Sequence, residues 1–507
     1  MNVRLTWVQP EDLIGHELRQ AAEDGRDASA VAARWHAAGG TPAPTAAGAS
    51  PAPAPPHLRA LAEHLLDELA SLPTPLASAE PTPLPHIKRL CPHWPAPTPN
   101  APPDARPPTA PSAAAPPHLP GHPPGTAHPP APVPCDAPRT APATVAPATV
   151  APGLHARLHA AWVGRAAGCL LGKPVEKLPL PAIRALARAT GNWPLTSWFT
   201  ARGVPPELAA AHPWNRRSAA TSLAENIDGM PEDDDLNYPL LNLLLLQRYG
   251  PGFSTADVAR LWLDELPAGR TFTAERVAYR NLLSGLEPPL TATHRNPFRE
   301  WIGAQIRADA HGWTHPGDPA AAAEQAHRDA TLTHTANGVY GAMFTAAVIA
   351  TAASGTADVH QALAAGLSVV PPGSRLARAV RFGIATAHAH TDFDTVADRL
   401  HAAYGSYHWV HAVPNTALLA AALTHADGDF TLSVCRAVSG GWDTDSNGAT
   451  AGSVAGLLAG RPDRIPDRWT TPLKNRLATS VHTFDGIGFD TLAGLTHALA
   501  HQEAHRP

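Results

Sequence analysis

Leucine recurs every three to four residues at Leu58, Leu61, Leu65, Leu69 and Leu72, the period that keeps one face of a helix turned to its neighbours. A shorter helical pattern runs over residues 12–38, and TPAPTAAGASPAPAPP between the two reads as a linker. Residues 1–72 are therefore predicted to be a small helical module. From about Gly153 onward, Ala- and Leu-rich stretches return, broken by Gly, Pro and His. NYPLLNLLLLQRYG, GVYGAMFTAAVIATAA, NTALLAAALTHA and NGATAGSVAGLLAG are poor in β-branched residues relative to Ala and Leu and end in Gly or polar residues, as helices do. Few runs alternate with period two, so residues 153–507 are predicted to form one all-α domain.

Composition changes the picture between those two parts. Of the 57 prolines, 26 fall in residues 73–150, mixed mainly with Ala and Thr. Such a tract buries too little apolar surface to offset its ordering entropy, and residues 73–152 are read as a disordered Pro/Ala-rich tether. Every candidate for chemistry lies after it. A chain starting near Ala151 is thus expected to fold and keep its catalysis, leaving residues 1–72 to localisation or an unknown partner.

Charge and cysteine narrow the classes. Lys and Arg number 38 against 43 Asp and Glu, for a net charge of −5, which offers nucleic acid no basic field. Cys91 and Cys135 lie in the proline-rich tract, while Cys169 and Cys435 stand far apart in apolar surroundings. That is neither a disulfide framework nor a zinc pattern. The N-terminal MNVRLTWVQPEDLIGHELRQ carries charge where a secretion signal needs an apolar core, so the expected location is the cytoplasm. The uncharged residues 339–357 are diluted with Gly, Ser, Thr and Ala, and read as a core helix, not a membrane span.

Four segments carry candidate chemistry. In PEDDDLNY, Glu232, Asp233, Asp234 and Asp235 precede an apolar helix that runs to Gly250. One or two carboxylates complement a helix N-terminus; four repel one another and call for a cation, such as a hard divalent metal. In SGGWDTDSNGATAGSVAGLLAG, Asp443 and Asp445 stand two apart beside Ser446. In an extended loop that spacing points both carboxylates one way; the alternative is that Ser446 or Asn447 caps the helix. Gly448, Gly452, Gly456 and Gly460 follow at four-residue intervals, a stripe that lets another helix approach closely. A third segment, AAWVGRAAGCLLGKPVEKLP, should end its helix near Pro174 and leave Glu176 on a loop, as a surface charge or an acid/base. The fourth, LTHTANG, offers His334 and Asn337, with helix capping or core packing as the alternative.

Together and in this order, the four segments resemble the ADP-ribosylglycohydrolase family, over about residues 154–476. The family's G-D-A-L-G-x-x-x-E loop is similar to Gly168, Cys169, Leu170, Leu171, Gly172 and Glu176; its T-D-D-T to Glu232, Asp233, Asp234 and Asp235. Its closing G-G-D-T-D-T/S is matched by Gly440, Gly441, Asp443, Thr444, Asp445 and Ser446, with Trp442 inserted. The resemblance implies an orthogonal all-α bundle holding two Mg²⁺ or Mn²⁺ ions, with Glu232, Asp233, Asp234, Asp443, Asp445 and Ser446 as ligands. It implies Glu176 and Asp234 as catalytic groups, and His334, Asn337, Gly441 and Trp442 near the substrate. Trp442 and Tyr238 are equally candidates for core packing. The implied substrate is an ADP-ribosylated protein or a small molecule containing ADP-ribose, its glycosidic bond cleaved by hydrolysis. The alternatives are a dinuclear-metal hydrolase of another ribosyl or nucleoside substrate, and a silent binding member of the fold. Glu232 replaces the usual Thr and Cys169 the usual Asp.

Overall fold

The computed structural model describes residues 8–43, 47–50, 52–96 and 153–504. Helices α1 (Pro10–Glu23), α2 (Ser29–Ala37), α3 (Pro56–Ser71) and α4 (Leu84–Leu90) form the N-terminal part. The longer helices of the C-terminal part include α5 (Leu154–Gly172), α6 (Asp234–Tyr249), α7 (Ala336–Ala353), α8 (Arg375–Ala389), α9 (Ala412–Ala426), α10 (Phe430–Ser439), α11 (Thr444–Ala459) and α12 (Phe489–Ala504). Among the described residues there is no strand beyond the isolated bridges Met230–Leu477 and Trp301–His411. The all-α expectation therefore holds.

The glycine stripe fixes the central packing. A methyl group on Gly448, Gly452 or Gly456 would strike the carbonyl oxygens of Gly168, Gly164 and Ala160 respectively, and Gly164 and Gly168 are blocked reciprocally by α11. The two helices thus run antiparallel with backbones in contact, which only residues without a side chain allow. Gly460, the fourth of the stripe, instead ends α11 in the left-handed region. Because the pairing is antiparallel, the end of α5 meets the start of α11, and the Thr444 hydroxyl donates to the Gly172 carbonyl at 2.8 Å. The Glu176 loop and the Asp443–Asp445 turn are brought together by this one interface.

Helix α7 is buried at every position except Thr351. By length and composition it would reach across a bilayer, so its hydropathy does not fall short as the sequence suggested. Its burial inside the protein identifies it as a core helix.

The tether differs most from expectation. Residues 73–96 are ordered against the C-terminal domain, with Ile87 fully buried on α4. Tyr340 donates its hydroxyl to the Pro81 carbonyl at 2.5 Å, and the Thr82 hydroxyl accepts from the Ala336 amide at 3.1 Å. Glu80 accepts from Arg375 and from Asn337, both at 2.7–2.8 Å. Farther along, Arg299 pairs with Glu17 at 2.8 Å and with Asp24 at 2.9 Å. Proline content averaged over the tract hid these few anchoring side chains. The disorder expected for residues 97–152 lies outside the described residues.

Candidate metal centre

The acidic residues stand on three elements. Asp233 caps α6, accepting the Asp235 amide at 2.9 Å, so the helix-end explanation is true of this one carboxylate. Asp234 and Asp235 occupy the first turn. Asp443 is the N-cap of α11 and Asp445 lies within its first turn. The expected extended loop is therefore absent, and neither Ser446 nor Asn447 is the cap; both lie buried in the same turn. Cap and second helical position still bring the two carboxylates together. Glu176 follows a short 3₁₀ turn over Lys173–Val175, as Pro174 requires.

Two groups of ligand atoms result, each within 4.8 Å of one another: Glu176 with Asp443 and Asp445, and Cys169 with Asp233 and Asp235. Burial followed by repulsion from Asp233, Asp445 and Glu176 pushes the Asp234 carboxyl well above the ordinary range. Burial and its neighbour Asp445 do the same to Asp443, and burial with Glu176 and Asp233 lifts Asp445 to about 7. Among the described residues, Glu176, Asp233, Asp234, Asp235, Asp443 and Asp445 pair with no cations but Lys173, Lys177 and Arg165, and Arg165 also pairs with Asp309 at 2.8 Å. Without further cations the site answers with protons.

The two groups differ in chemistry. In the first, Glu176 accepts from Asn215 Nδ2 at 2.6 Å and pairs with the half-exposed Lys177 at 2.7 Å. Its donors are oxygens only, which fits a hard divalent cation. In the second, Cys169 is fully buried with its thiol raised well above the usual range by burial and by Asp233, and it donates to Asp235 at 3.8 Å. Lys173, itself buried, is ion-paired with Asp233 and donates to the Glu232 carbonyl at 3.3 Å. Burial opposes the charge on both Lys173 and Asp233, but their mutual attraction raises the lysine and lowers the aspartate. An ammonium therefore already stands where the second group would place a cation.

Other sequence candidates go elsewhere. Glu232 turns outward to Arg270 at 2.9 Å and belongs to neither ligand group; the guanidinium outcompetes the buried site for its long side chain. His334 is fully buried, bonded to Thr333 at 2.6 Å, with burial holding its ring neutral. Asn337 is engaged by Glu80, by Glu300 at 3.0 Å and by the Leu376 amide at 2.9 Å. Trp442, at φ 56°, stacks on His401 with ring centroids 3.9 Å apart, and Tyr238 packs against Trp262. Both aromatics are buried. Gly441, left-handed at φ 82°, lies near His401 and Leu180.

The sequence reading missed three positioning side chains. Lys173 and Lys177 flank Glu176 and were visible only as charges. Asn415, on α9, accepts from the Asp443 amide at 3.1 Å and from Asn447 at 2.7 Å, while donating to the Trp409 and His411 carbonyls at 2.8 and 2.9 Å. All its polar atoms are used, so it locks the acidic turn to α9.

The profile of the ADP-ribosylglycohydrolase family matches residues 151–506. A solved structure described as an "ADP-ribosylglycohydrolase-related protein complex" is 22% identical, covers 69% of this chain and 99% of its own, and superposes with a TM-score of 0.43. Among curated proteins none matches.

Proposed function

The chain belongs to the ADP-ribosylglycohydrolase family, and on that premise we propose that it is a metal-dependent hydrolase that releases ADP-ribose from a modified protein side chain or small acceptor. The observation that carries this reading is the convergence of Glu176, Asp443 and Asp445 within 4.8 Å, with Asp234 beside them. Asp234, Asp443 and Asp445 would hold Mg²⁺ or Mn²⁺, with Ser446 beside Asp445 and Glu176 at the edge of the group, free for proton transfer; a second ion would have to share Asp233 with Lys173. A bound divalent ion supplies Lewis-acid binding of hydroxyl oxygens and a more acidic bound water.

The chain's own residues supply the rest. Breaking the bond at the anomeric carbon builds positive charge on the ribose ring, and a field of carboxylates in a buried site stabilises it. Water delivers hydroxide to that carbon and the departing atom takes a proton. Glu176 is the acid/base: Asn215 orients one of its oxygens, and the other is held only by Lys177, whose side chain is 55% exposed and free to give way. The Arg217 and Arg276 guanidinium groups stand 5.8 and 5.7 Å from the centre of the Phe272 ring. Arg217 follows Asn215 by two residues, and Arg270, near Phe272, holds Glu232. This basic rim beside an acidic centre supports a substrate with phosphates.

A second reading, another ribosyl substrate, is favoured by one observation: His334 and Asn337 are committed to internal partners. The test is release of free ADP-ribose from an ADP-ribosylated protein in Mg²⁺ or Mn²⁺, alongside hydrolysis of free nucleosides. Release that is lost in D443A/D445A supports the proposal. Activity on nucleosides alone selects the second reading, and ADP-ribose release unchanged in D443A/D445A overturns the proposed centre.

A further inference from the structure

The opposite end of α5 carries a different set of ligands. His155 and His159 stand four apart in its first turns, and His497 and His501 stand four apart on α12, which packs along it through a bond of 3.0 Å from Trp162 to Thr496. Residues four apart share a helix face. The His155 and His497 rings meet edge-on with centroids 5.6 Å apart, and those of His497 and His501 are 4.3 Å apart. The Nε2 atoms of His497 and His501 are separated by only 3.1 Å.

That separation is the informative one. Two imidazole nitrogens bound to one tetrahedral ion at about 2.0–2.1 Å lie roughly 3.3 Å apart. The pair is therefore set for chelation within a few tenths of an ångström, with both rings half-exposed and reachable. His155 is exposed on the neighbouring helix, and its ring already touches that of His497 edge-on. Seventeen residues of α5 separate His155 from Gly172, about 25 Å at 1.5 Å per residue, so these histidines are not part of the acidic centre.

We propose that His497 and His501, with His155 as third ligand, form a binding site for a borderline divalent transition metal such as Zn²⁺, at the seam between α5 and α12. Nitrogen donors select Zn²⁺, Ni²⁺ or Cu²⁺ and leave Mg²⁺ to the carboxylates. The bound ion would clip the last helix of the chain to the first helix of its domain and stabilise that seam by mass action.

The test is calorimetric titration of the full chain with Zn²⁺ in saturating Mg²⁺, with melting temperature followed in parallel. One equivalent should bind in wild type and equally in D443A/D445A, raising the melting temperature in both. That equivalent and its thermal shift should disappear in H497Q/H501Q and weaken at least tenfold in H155Q. These side chains are half-exposed or exposed, and unchanged metal-free melting of the variants would show that they fold. No stoichiometric Zn²⁺ binding, binding retained in H497Q/H501Q, or binding lost in D443A/D445A would each overturn the site.

Discussion

Glu80, from the proline-rich segment, closes on Arg375 of α8 with Oε2 2.7 Å from the guanidinium and both side chains buried. Glu300 meets the same guanidinium at 2.8 Å, and Asp24 of the N-terminal part at 3.4 Å. Asp24 and Glu80 therefore supply counter-charges to a cation inside the C-terminal domain, as Glu17 and Asp24 do for Arg299.

That relationship makes the shortened chain a test of the docking. Removing one partner of a buried ion pair costs about 3–5 kcal/mol, and truncation strips both Arg375 and Arg299 of partners. Against a total stability of about 5–15 kcal/mol, residues 153–507 alone should be poorly folded. In the full chain E80A, which leaves Glu300 on Arg375, should cost about 1–3 kcal/mol. Urea unfolding measures both; a shortened chain as stable as the full one would show that the docking contributes nothing.

The same contact titrates. Glu23 of α1 faces His411 at 3.4 Å, and its carboxyl is pushed up from 4.5 to about 8 by burial and by Glu300, against the pull of Arg375 and Arg19 and with Asp24 adding repulsion. His411 is held neutral by burial and Arg375, so it does not offset the carboxylate. The folded state keeps a proton that the unfolded chain releases, so this contribution is present below pH 4.5 and is lost as pH rises to about 8. The difference in melting temperature between E23Q and wild type should therefore grow in favour of E23Q from pH 5 to pH 8.5. A pH-independent difference would remove Glu23 as the titrating group.

Elements and ligands were legible to different degrees for physical reasons. The glycine stripe is a local pattern with one geometric consequence, a helix in close approach, and the structure identifies that helix as α5. Asp443, Asp445 and Glu176 sit at helix ends that this contact joins, so reading each motif locally was enough. Glu80 was not legible, because a single buried carboxylate does not change the average of a proline-rich tract. Asn415 lies 28 residues from Asp443 and acts through tertiary contact alone. Glu232 and Asn337 went the other way: their positions fit a motif, but Arg270, Glu80 and Glu300 claim them from distant parts of the chain.

Glu176 separates chemistry from ligation. Gln at this position keeps the oxygen that accepts from Asn215 but cannot transfer a proton. E176Q should lower turnover by roughly 10² to 10⁴, with no rescue by a hundredfold excess of Mg²⁺ or Mn²⁺. Recovery of turnover in excess metal would make Glu176 a ligand only, and unchanged turnover would make it a surface charge.

Lys173 sets the last expectation, because it competes for the carboxylate that a second divalent ion would need. Two unit charges about 4 Å apart interact by about 4 kcal/mol at an effective dielectric of 20, so its ammonium is a strong substitute for a metal at Asp233. In wild type the Asp443 and Asp445 side of the centre should fill first, and any second equivalent should bind more weakly. K173M removes the competitor while keeping the length of the side chain. Its metal-free form should melt lower than wild type, since Asp233 then faces its neighbours unpaired, and added Mg²⁺ or Mn²⁺ should recover the loss by mass action. The second equivalent should tighten at least tenfold in calorimetry. If K173M binds metal no more tightly than wild type, Lys173 is a permanent structural cation and the centre is built for one ion.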